Sequence, residues 1–387
     1  MGAEAPISIE QSRQRRQIEP IISDYQSDEL HVPYADRVDY YRMVKETFGV
    51  RGIRTEFRLN KLLKKDRTWD PTVETSYIES LKAMREAGLD GPLVYLNFPD
   101  TWMVELQKKR PDEFFSLYQS LSQRVKHICE AAGVVPKQVQ VMNEVNWFFY
   151  NPFPMDPLVE MIRITDRVFH ADERFANTKI MVNIITNATQ WSRLERTWFG
   201  QMLKRHPQMG IFPFWNDWRG YTKAILDKAG PALQAVGFDF YPGSYDKPAL
   251  LRSMAFRNFG EVEPYRWILE EKTHGVLKDK EVIISETGVP AISKDSRFAR
   301  FGYDRIVQAM DHLFLEYERK GYKAHDLVSR IGFFKASPAE TAPANMPGRL
   351  DDAPWGLLYR DSARKWQPTL AGARLKHLIE TRIAPTK

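Results

Sequence analysis

Residues 139–144 read Val-Gln-Val-Met-Asn-Glu, and residues 282–286 read Val-Ile-Ile-Ser-Glu. Each stretch is short and rich in residues that favour strands, and each ends in a glutamate, Glu144 or Glu286, before loop-like sequence. The two glutamates are 286 − 144 = 142 positions apart. Only tertiary structure can therefore bring them together, so the arrangement of the strands decides whether they meet.

Strand-like runs alternate with helical patterns along the chain, which predicts a parallel sheet because parallel neighbours need long crossovers. The predicted strands are Glu19–Asp24, Gly52–Leu59, Pro92–Phe98, Gln138–Val145, Lys179–Ile185, Ala235–Tyr241, Glu281–Thr287 and Arg330–Ala336. The predicted helices after them are Ala35–Phe48, Val73–Ala87, Glu113–Ala132, Pro157–Ala171, Leu194–Arg205, Pro264–His274, Phe301–Lys320 and Pro368–Thr381.

Eight strand–helix units in this length predict an α/β fold of the (β/α)8 TIM-barrel type. A doubly wound sheet is the alternative, but the sequence has no G-x-G-x-x-G or G-x-x-x-x-G-K motif of the kind that often follows an early strand of such sheets. We expect a polar N-terminal segment at 1–17 and one barrel domain at 18–387. Long loops after strands, at 186–219, 242–263 and 337–356, are expected on the active-site face.

Composition excludes several classes of function. The single cysteine, Cys129, rules out an intrachain disulfide, and the eight histidines lack metal-binding spacing, so we expect neither a metal nor another cofactor. The net charge of +6 is spread out, which argues against a nucleic-acid partner. No apolar stretch is long enough for a membrane span, and the N-terminus lacks the apolar core of a signal peptide. We expect a cytoplasmic protein, or a secreted or periplasmic one if an export signal has been removed; the oligomeric state is left open.

In a parallel barrel all strands end on one face, so Glu144 and Glu286 should lie on the same rim. Inward-pointing carboxylates on strands 4 and 7 could approach to about 5 Å, which is the separation in retaining glycosidases. A single strand-end glutamate is more often a polar end or an arginine partner. Two such residues, on these two strands, favour a pair that works on one glycosidic bond.

The sequence resembles the clan of retaining (β/α)8 glycoside hydrolases, and it is nearest in pattern to glycoside hydrolase families 5 and 39. The strand-4 signature of the clan is Asn-Glu, matched by Asn143 and Glu144, and its strand-7 signature is matched by the run Ile283–Gly288. The resemblance covers roughly residues 50–380. It implies that Glu144 is the general acid/base and that Glu286 is the nucleophile.

The resemblance also implies a set of substrate contacts. Asn143 would bind the 2-hydroxyl of the sugar, Tyr241 would support the nucleophile from strand 6, and Arg54 would contact it from strand 2. Strand 8 of the clan commonly ends in a tryptophan, where this chain has Phe334 as a stacking candidate and Lys335 at the rim.

Further candidates come from the residues themselves. Trp147 follows the predicted acid/base, where its ring can line the cleft or plug the core. Three tryptophans in the long loops can stack on sugars as platforms or fill a core, and they are Trp215, Trp218 and Trp355. Asp239 either pairs with backbone groups or an arginine of the barrel, or supports the site next to Tyr241. Basic residues gather near the same rim, either as a solvated surface or to hold an acidic glycan; they are Arg58, Lys61, Lys64, Lys65 and Lys335.

The sequence therefore predicts a retaining glycosidase that cleaves an oligo- or polysaccharide by double displacement. Its predicted partner is a carbohydrate substrate, with an acidic glycan as the sharper hypothesis. The alternatives are a catalytically inactive carbohydrate-binding barrel and a transglycosidase that uses the same two glutamates.

Overall fold

A computed structural model describes residues 8–24, 32–89, 93–97, 99–147, 151–186, 217–240, 263–288, 296–334, 336, 357–360, 363 and 365–383. Eight parallel strands close into a barrel, in which each strand pairs with the next in sequence and the eighth pairs with the first. The strands are β1 (Glu19–Asp24), β2 (Gly52–Arg58), β3 (Leu93–Asn97), β4 (Gln138–Val141), β5 (Lys179–Ile185), β6 (Ala235–Phe240), β7 (Glu281–Thr287) and β8 (Arg330–Phe333). The predicted (β/α)8 barrel is confirmed.

Helices connect the strands and pack side by side around them. They are α1 (Ile9–Arg15), α2 (Tyr34–Phe48), α3 (Leu59–Leu62), α4 (Pro71–Glu86), α5 (Thr101–Lys109), α6 (Pro111–Ala132), α7 (Met155–His170), α8 (Trp218–Ala229), α9 (Glu263–His274), α10 (Ser296–Glu318), α11 (Ala324–Leu327) and α12 (Leu370–Leu378). An antiparallel hairpin, β9 (Leu358–Arg360) with β10 (Trp366–Pro368), precedes α12. The predicted helix Leu194–Arg205 lies outside the described residues. No helix in the described part of the chain is both long and apolar enough to cross a membrane.

Local sequence explains where these helices begin and end. The carboxylate of Asp70 accepts hydrogen bonds from the amides of Thr72 and Val73, and Pro71 occupies the first position of α4. Helix α6 stops at Gly133, which takes the left-handed conformation (φ 66°) that lets the chain turn into β4. These signals let β4 follow α6 after a short turn. Because the barrel is parallel, the carboxyl end of β4 lies on the same rim as those of the other strands.

The predicted end of β4 is wrong by four residues. The strand ends at Val141 rather than Val145, because Met142 (φ 63°) and Glu144 (φ 42°) adopt left-handed backbone conformations. Such angles are incompatible with a continued ladder, and they turn residues 142–144 out of the sheet. Strand β8 likewise ends at Phe333, earlier than the predicted Ala336.

A bulge interrupts β7 next to its terminal glutamate. Phe238 and Asp239 of β6 pair with Ile284 and Glu286, so Ser285 is an extra residue between two pairs. The register also shifts against β8. A methyl group on Gly332 of β8 would lie 2.2 Å from the carbonyl oxygen of Ser285, so this close approach requires glycine. Bulges re-aim side chains next to active sites, and this one sets the direction of residue 286.

The N-terminal segment contributes helix α1, which packs on α10. Arg13 and Arg16 both pair with the buried Asp311 of α10, and Arg16 is itself buried. Breaking a buried ion pair is costly because it leaves an uncompensated charge. This contact ties α1 to the outside of the barrel.

Candidate active site

Three carboxylates converge at the ends of β4, β6 and β7. One oxygen of each of Glu144, Asp239 and Glu286 lies within 4.8 Å of the others. Their residues are 3%, 0% and 4% exposed. The convergence that the strand order predicts for Glu144 and Glu286 is thus present in the structure. Retaining glycosidases hold their two carboxyl groups about 5–5.5 Å apart and inverting ones about 6.5–9.5 Å, so a separation within 4.8 Å is closer to the retaining spacing.

Arg54 supplies the positive charge of this cluster. Its side chain is fully buried on β2, and one terminal nitrogen contacts the carboxylate of Glu286. The other terminal nitrogen donates to Oδ1 of Asn143 (2.8 Å), and Nε donates to Oε1 of Gln140 (3.1 Å). One planar guanidinium therefore fixes groups from β4, from the turn after it and from β7.

Asn143 lies in the turn after β4, directly before Glu144, and is buried. Besides the bond from Arg54, its Oδ1 accepts from Nδ2 of Asn183 (2.9 Å) and from Nε2 of Gln140 (3.4 Å). Since its oxygen already has these donors, its amide nitrogen is the group that can donate to a substrate hydroxyl.

Asn183 on β5 is a site residue that the sequence analysis missed. Its Oδ1 accepts from the backbone N–H of Glu144 (2.7 Å) and from Nε2 of Gln140 (2.7 Å), while its Nδ2 also donates to Asp239. The available signal was a lone amide inside the apolar run Lys179–Ile185. A buried amide must find partners, so its position among apolar neighbours indicates a polar layer inside the barrel.

Burial raises the pKa of Glu144 well above that of an ordinary glutamate, and the charges of Asp239 and Glu286 raise it further, against the opposing effect of Arg54. Among the described residues, Oε2 of this glutamate has no hydrogen-bond partner. Burial also raises the pKa of Asp239, and the negative charge of Glu286 raises it further. The charge of Arg54 and the hydrogen bonds from Ser285 and Asn183 oppose this rise. Glu144 therefore has the environment of a carboxyl group that keeps its proton.

The three carboxylates are also close enough to share a cation. However, the guanidinium of Arg54 already contacts Glu286, and both oxygens of Asp239 accept hydrogen bonds from neutral groups, Asn183 and Ser285. Because protein donors already hold an oxygen of Glu286 and both oxygens of Asp239, we do not assign a metal to this cluster.

The remaining predicted site residues divide into two groups. Trp147 is half-buried in the turn after β4, where its amide donates to the carbonyl of Glu144 (2.7 Å). Phe334 follows β8, is nearly buried, and donates its amide to Thr287 (3.0 Å). The others lie outside the described residues, and they are Tyr241, Trp215, Lys335 and Trp355.

Two other interpretations of the sequence change with the structure. Trp218 is a core residue rather than a sugar platform, because it is buried on α8 with its ring 4.7 Å from that of Trp267. In the predicted basic rim, Arg58 pairs with Glu56 at 3.2 Å and Lys64 pairs with Asp70 at 3.1 Å, so part of its charge is compensated.

Comparison with known proteins gives a fold relationship. No family profile matches the chain, and no curated protein sequence matches it. Solved structures do match. A β-glucosidase from Exiguobacterium marinum is 13% identical with a TM-score of 0.60, covering 97% of this chain and 99% of that one. A family 1 β-glucosidase from Thermotoga maritima is 14% identical with a TM-score of 0.57, covering 94% and 98%.

An exo-β-1,4-mannosidase from an Opitutaceae bacterium is 13% identical with a TM-score of 0.56, and covers 94% of this chain and 61% of that one. The chain shares the barrel fold of these enzymes. Identities this low show the fold and no more. All three neighbours are glycosidase barrels, in line with the resemblance noted above, but the one family number among their names is 1 rather than 5 or 39.

Proposed function

We propose that this chain is a retaining glycoside hydrolase with Glu286 as nucleophile and Glu144 as general acid/base. The observation that carries the proposal is the meeting of two glutamates, 142 positions apart, within 4.8 Å at one end of a closed barrel. Glycosidase barrels among its structural neighbours support the same reaction class. Within the clan, the nearest families, 5 and 39, remain a prediction from the sequence pattern.

The first step forms a glycosyl-enzyme. A carboxylate oxygen of Glu286 attacks the anomeric carbon while the bond from that carbon to the leaving oxygen breaks, and the proton of Glu144 passes to the leaving oxygen. The raised pKa of Glu144 suits this role because the group must still carry its proton when substrate binds. Arg54 orients the attacking carboxylate through its direct contact.

The second step releases the sugar. Glu144, now a carboxylate, takes a proton from water, whose oxygen attacks the anomeric carbon as the ester bond to Glu286 breaks. The proton ends on Glu144 and the anomeric configuration is retained. Asn143, anchored by its oxygen, would donate its amide N–H to the 2-hydroxyl. Tyr241, Trp147, Trp215, Phe334, Lys335 and Trp355 remain proposed substrate contacts.

The test is a panel of 4-nitrophenyl glycosides followed by active-site variants. Glu286→Gln should abolish turnover. Glu144→Gln should hit phenyl glycosides hardest, because a poor leaving group needs the proton most. Glu46→Gln, an exposed glutamate on α2, is the matched control and should behave as wild type. Wild-type turnover by Glu286→Gln on any hydrolysed glycoside would refute the assignment.

Two further measurements separate the alternatives. A 2-deoxy-2-fluoro glycoside with a dinitrophenyl leaving group should label Glu286 covalently, as seen by mass spectrometry of peptides. Sugar binding with neither labelling nor turnover would favour an inactive binding barrel. Transfer of the glycosyl group to an added acceptor sugar, with little release to water, would favour a transglycosidase.

The charge of the substrate is a separate proposal. A basic rim would favour a uronate-containing or sulfated glycan. If Lys61→Ala combined with Lys335→Ala leaves the ratio of 4-nitrophenyl β-glucuronide to β-glucoside turnover unchanged, the acidic-glycan proposal is lost.

A further inference from the structure

Asp239 is a third acid in the cluster, with no part in the two-step reaction. Its side chain is fully buried on β6, next to the bulge of β7. Ser285 donates its hydroxyl to Oδ1 (2.5 Å), and Asn183 donates its Nδ2 to Oδ2. Both oxygens are therefore held by neutral donors from the two flanking strands, which fixes the carboxylate close to Glu144 and Glu286.

A short chain of hydrogen bonds leads from this aspartate to the predicted acid/base. Asn183 donates to Asp239 with its nitrogen and accepts from the backbone N–H of Glu144 with its oxygen, at 2.7 Å. The main-chain oxygen of Asn183 also accepts from the amide of Val145 (3.0 Å). Asp239 and Oδ1 of Asn143 both accept from Nδ2 of Asn183, so Asp239 helps to fix which way this amide faces. It thereby supports the acceptor that holds Glu144 in its left-handed conformation.

Electrostatics gives Asp239 a second route to the same glutamate. Among the described residues, the charged groups that face Glu144 are Arg54 from β2, Asp239 from β6 and Glu286 from β7. Glu286 is in direct contact with Arg54, whereas the hydrogen-bond donors to Asp239 are neutral. Repulsion by Asp239 also ranks ahead of that by Glu286 among the causes that raise the pKa of Glu144. Glu286 loses its charge when it becomes a glycosyl ester, whereas Asp239 forms no covalent bond in either step.

We propose that Asp239 is a positioning residue that acts on Glu144 through Asn183 and through its own negative charge. The inference rests on the proposed glycosidase function. It predicts that Asp239 sets the pH range in which Glu144 still holds the proton for the leaving group.

The test compares Asp239→Asn with wild type in the full chain, using the phenyl and 4-nitrophenyl forms of whichever β-glycoside the panel identifies. Removing the charge should move the basic limb of the kcat/KM profile to lower pH by at least about one unit, since a buried carboxylate at this distance is strongly coupled. Phenyl glycoside turnover one unit above the wild-type limb should then fall about tenfold. The 4-nitrophenyl form, which needs less protonation, should lose less.

A merely structural role would lower activity equally at every pH without moving the limb, and that result would overturn the proposal. Failure of wild type to turn over any glycoside or to accept the fluorosugar label would instead refute the glycosidase function itself. The two failures are therefore distinguishable.

The charge-exchanged double variant Asn183→Asp/Asp239→Asn covers the case in which Asp239→Asn does not fold. It keeps a hydrogen bond between the two positions with its direction reversed, and it moves the charge one strand nearer to Glu144. Its basic limb should lie at or above the wild-type pH. A limb shifted to lower pH in this variant would also overturn the proposal, because the charge is still present.

Discussion

Replacing Glu144 by glutamine should make the protein more stable at neutral pH. The glutamate is buried beside two other carboxylates, and one of its oxygens has no partner among the described residues. A glutamine has the same shape, cannot ionise, and offers an N–H donor to Asp239 or Glu286. Active sites often keep such unfavourable groups because function requires them.

The size of the effect follows from proton linkage. The pKa of Glu144 in the folded chain is raised by burial above the value of about 4.3 that an unfolded glutamate has. Between those two values the native state holds a proton that the unfolded chain has released, so the free energy of unfolding falls as pH rises. The slope for one proton is about 1.4 kcal/mol per pH unit, and Glu144→Gln removes it. The gain in stability should be small near pH 4 and should grow through the window above it.

Urea unfolding of Glu144→Gln and wild type, followed by tryptophan fluorescence from pH 4.5 to 8, measures this difference directly. Glu46→Gln, the exposed control on α2, should track wild type across the range. A Glu144→Gln variant that is less stable than wild type at pH 8, or whose advantage does not grow with pH, would refute the reasoning. Asp239, whose pKa burial also raises, should leave part of the wild-type slope in the variant.

Three other changes test the frame around the site. Gly332→Ala puts a methyl group 2.2 Å from the carbonyl oxygen of Ser285, so we expect β7 to shift, stability to fall by about 1–3 kcal/mol and kcat to fall by about 10²-fold. An unchanged kcat would contradict this. Arg54→Lys keeps the positive charge but cannot bridge three partners, so Oε1 of Gln140 loses its donor and the free energy of unfolding in urea should fall by about 1–3 kcal/mol. A variant as stable as wild type would contradict this. Asp311→Asn should destabilise the protein by about 3–5 kcal/mol, because it leaves Arg13 and Arg16 without their carboxylate partner, and the amide hydrogens of α1 should then exchange faster. Unchanged slow exchange in α1 would show that other contacts hold the helix.

The barrel and the meeting of its two glutamates could be predicted because both depend on strand order. Alternating strand and helix patterns indicate a parallel sheet, and parallel strands all end on the same side. Glu144 and Glu286 then lie on one rim whatever the details of packing. The site follows from topology at this level, without any knowledge of side-chain contacts.

Asn183 and Asp239 could not be assigned because their importance depends on register. A polar residue in an apolar strand points inward or outward according to a shift of one position. The bulge at Ser285, which brings β7 against Asp239, depends on a glycine of β8 that is remote in sequence. Similarly, Arg13 resembles a solvated residue until α1 meets Asp311, 298 positions later.

The left-handed residues around Asn143 explain why the chain needs so many bonds at this turn. Met142 and Glu144 are two of three non-glycine residues with positive φ in the described part of the chain, and each costs about 1–3 kcal/mol. Arg54 and Asn183 both hold Asn143, and Asn183 also holds the amide of Glu144. Because these bonds are made before any sugar arrives, the acid and the amide are already in place, and substrate binding need not reorganise the backbone.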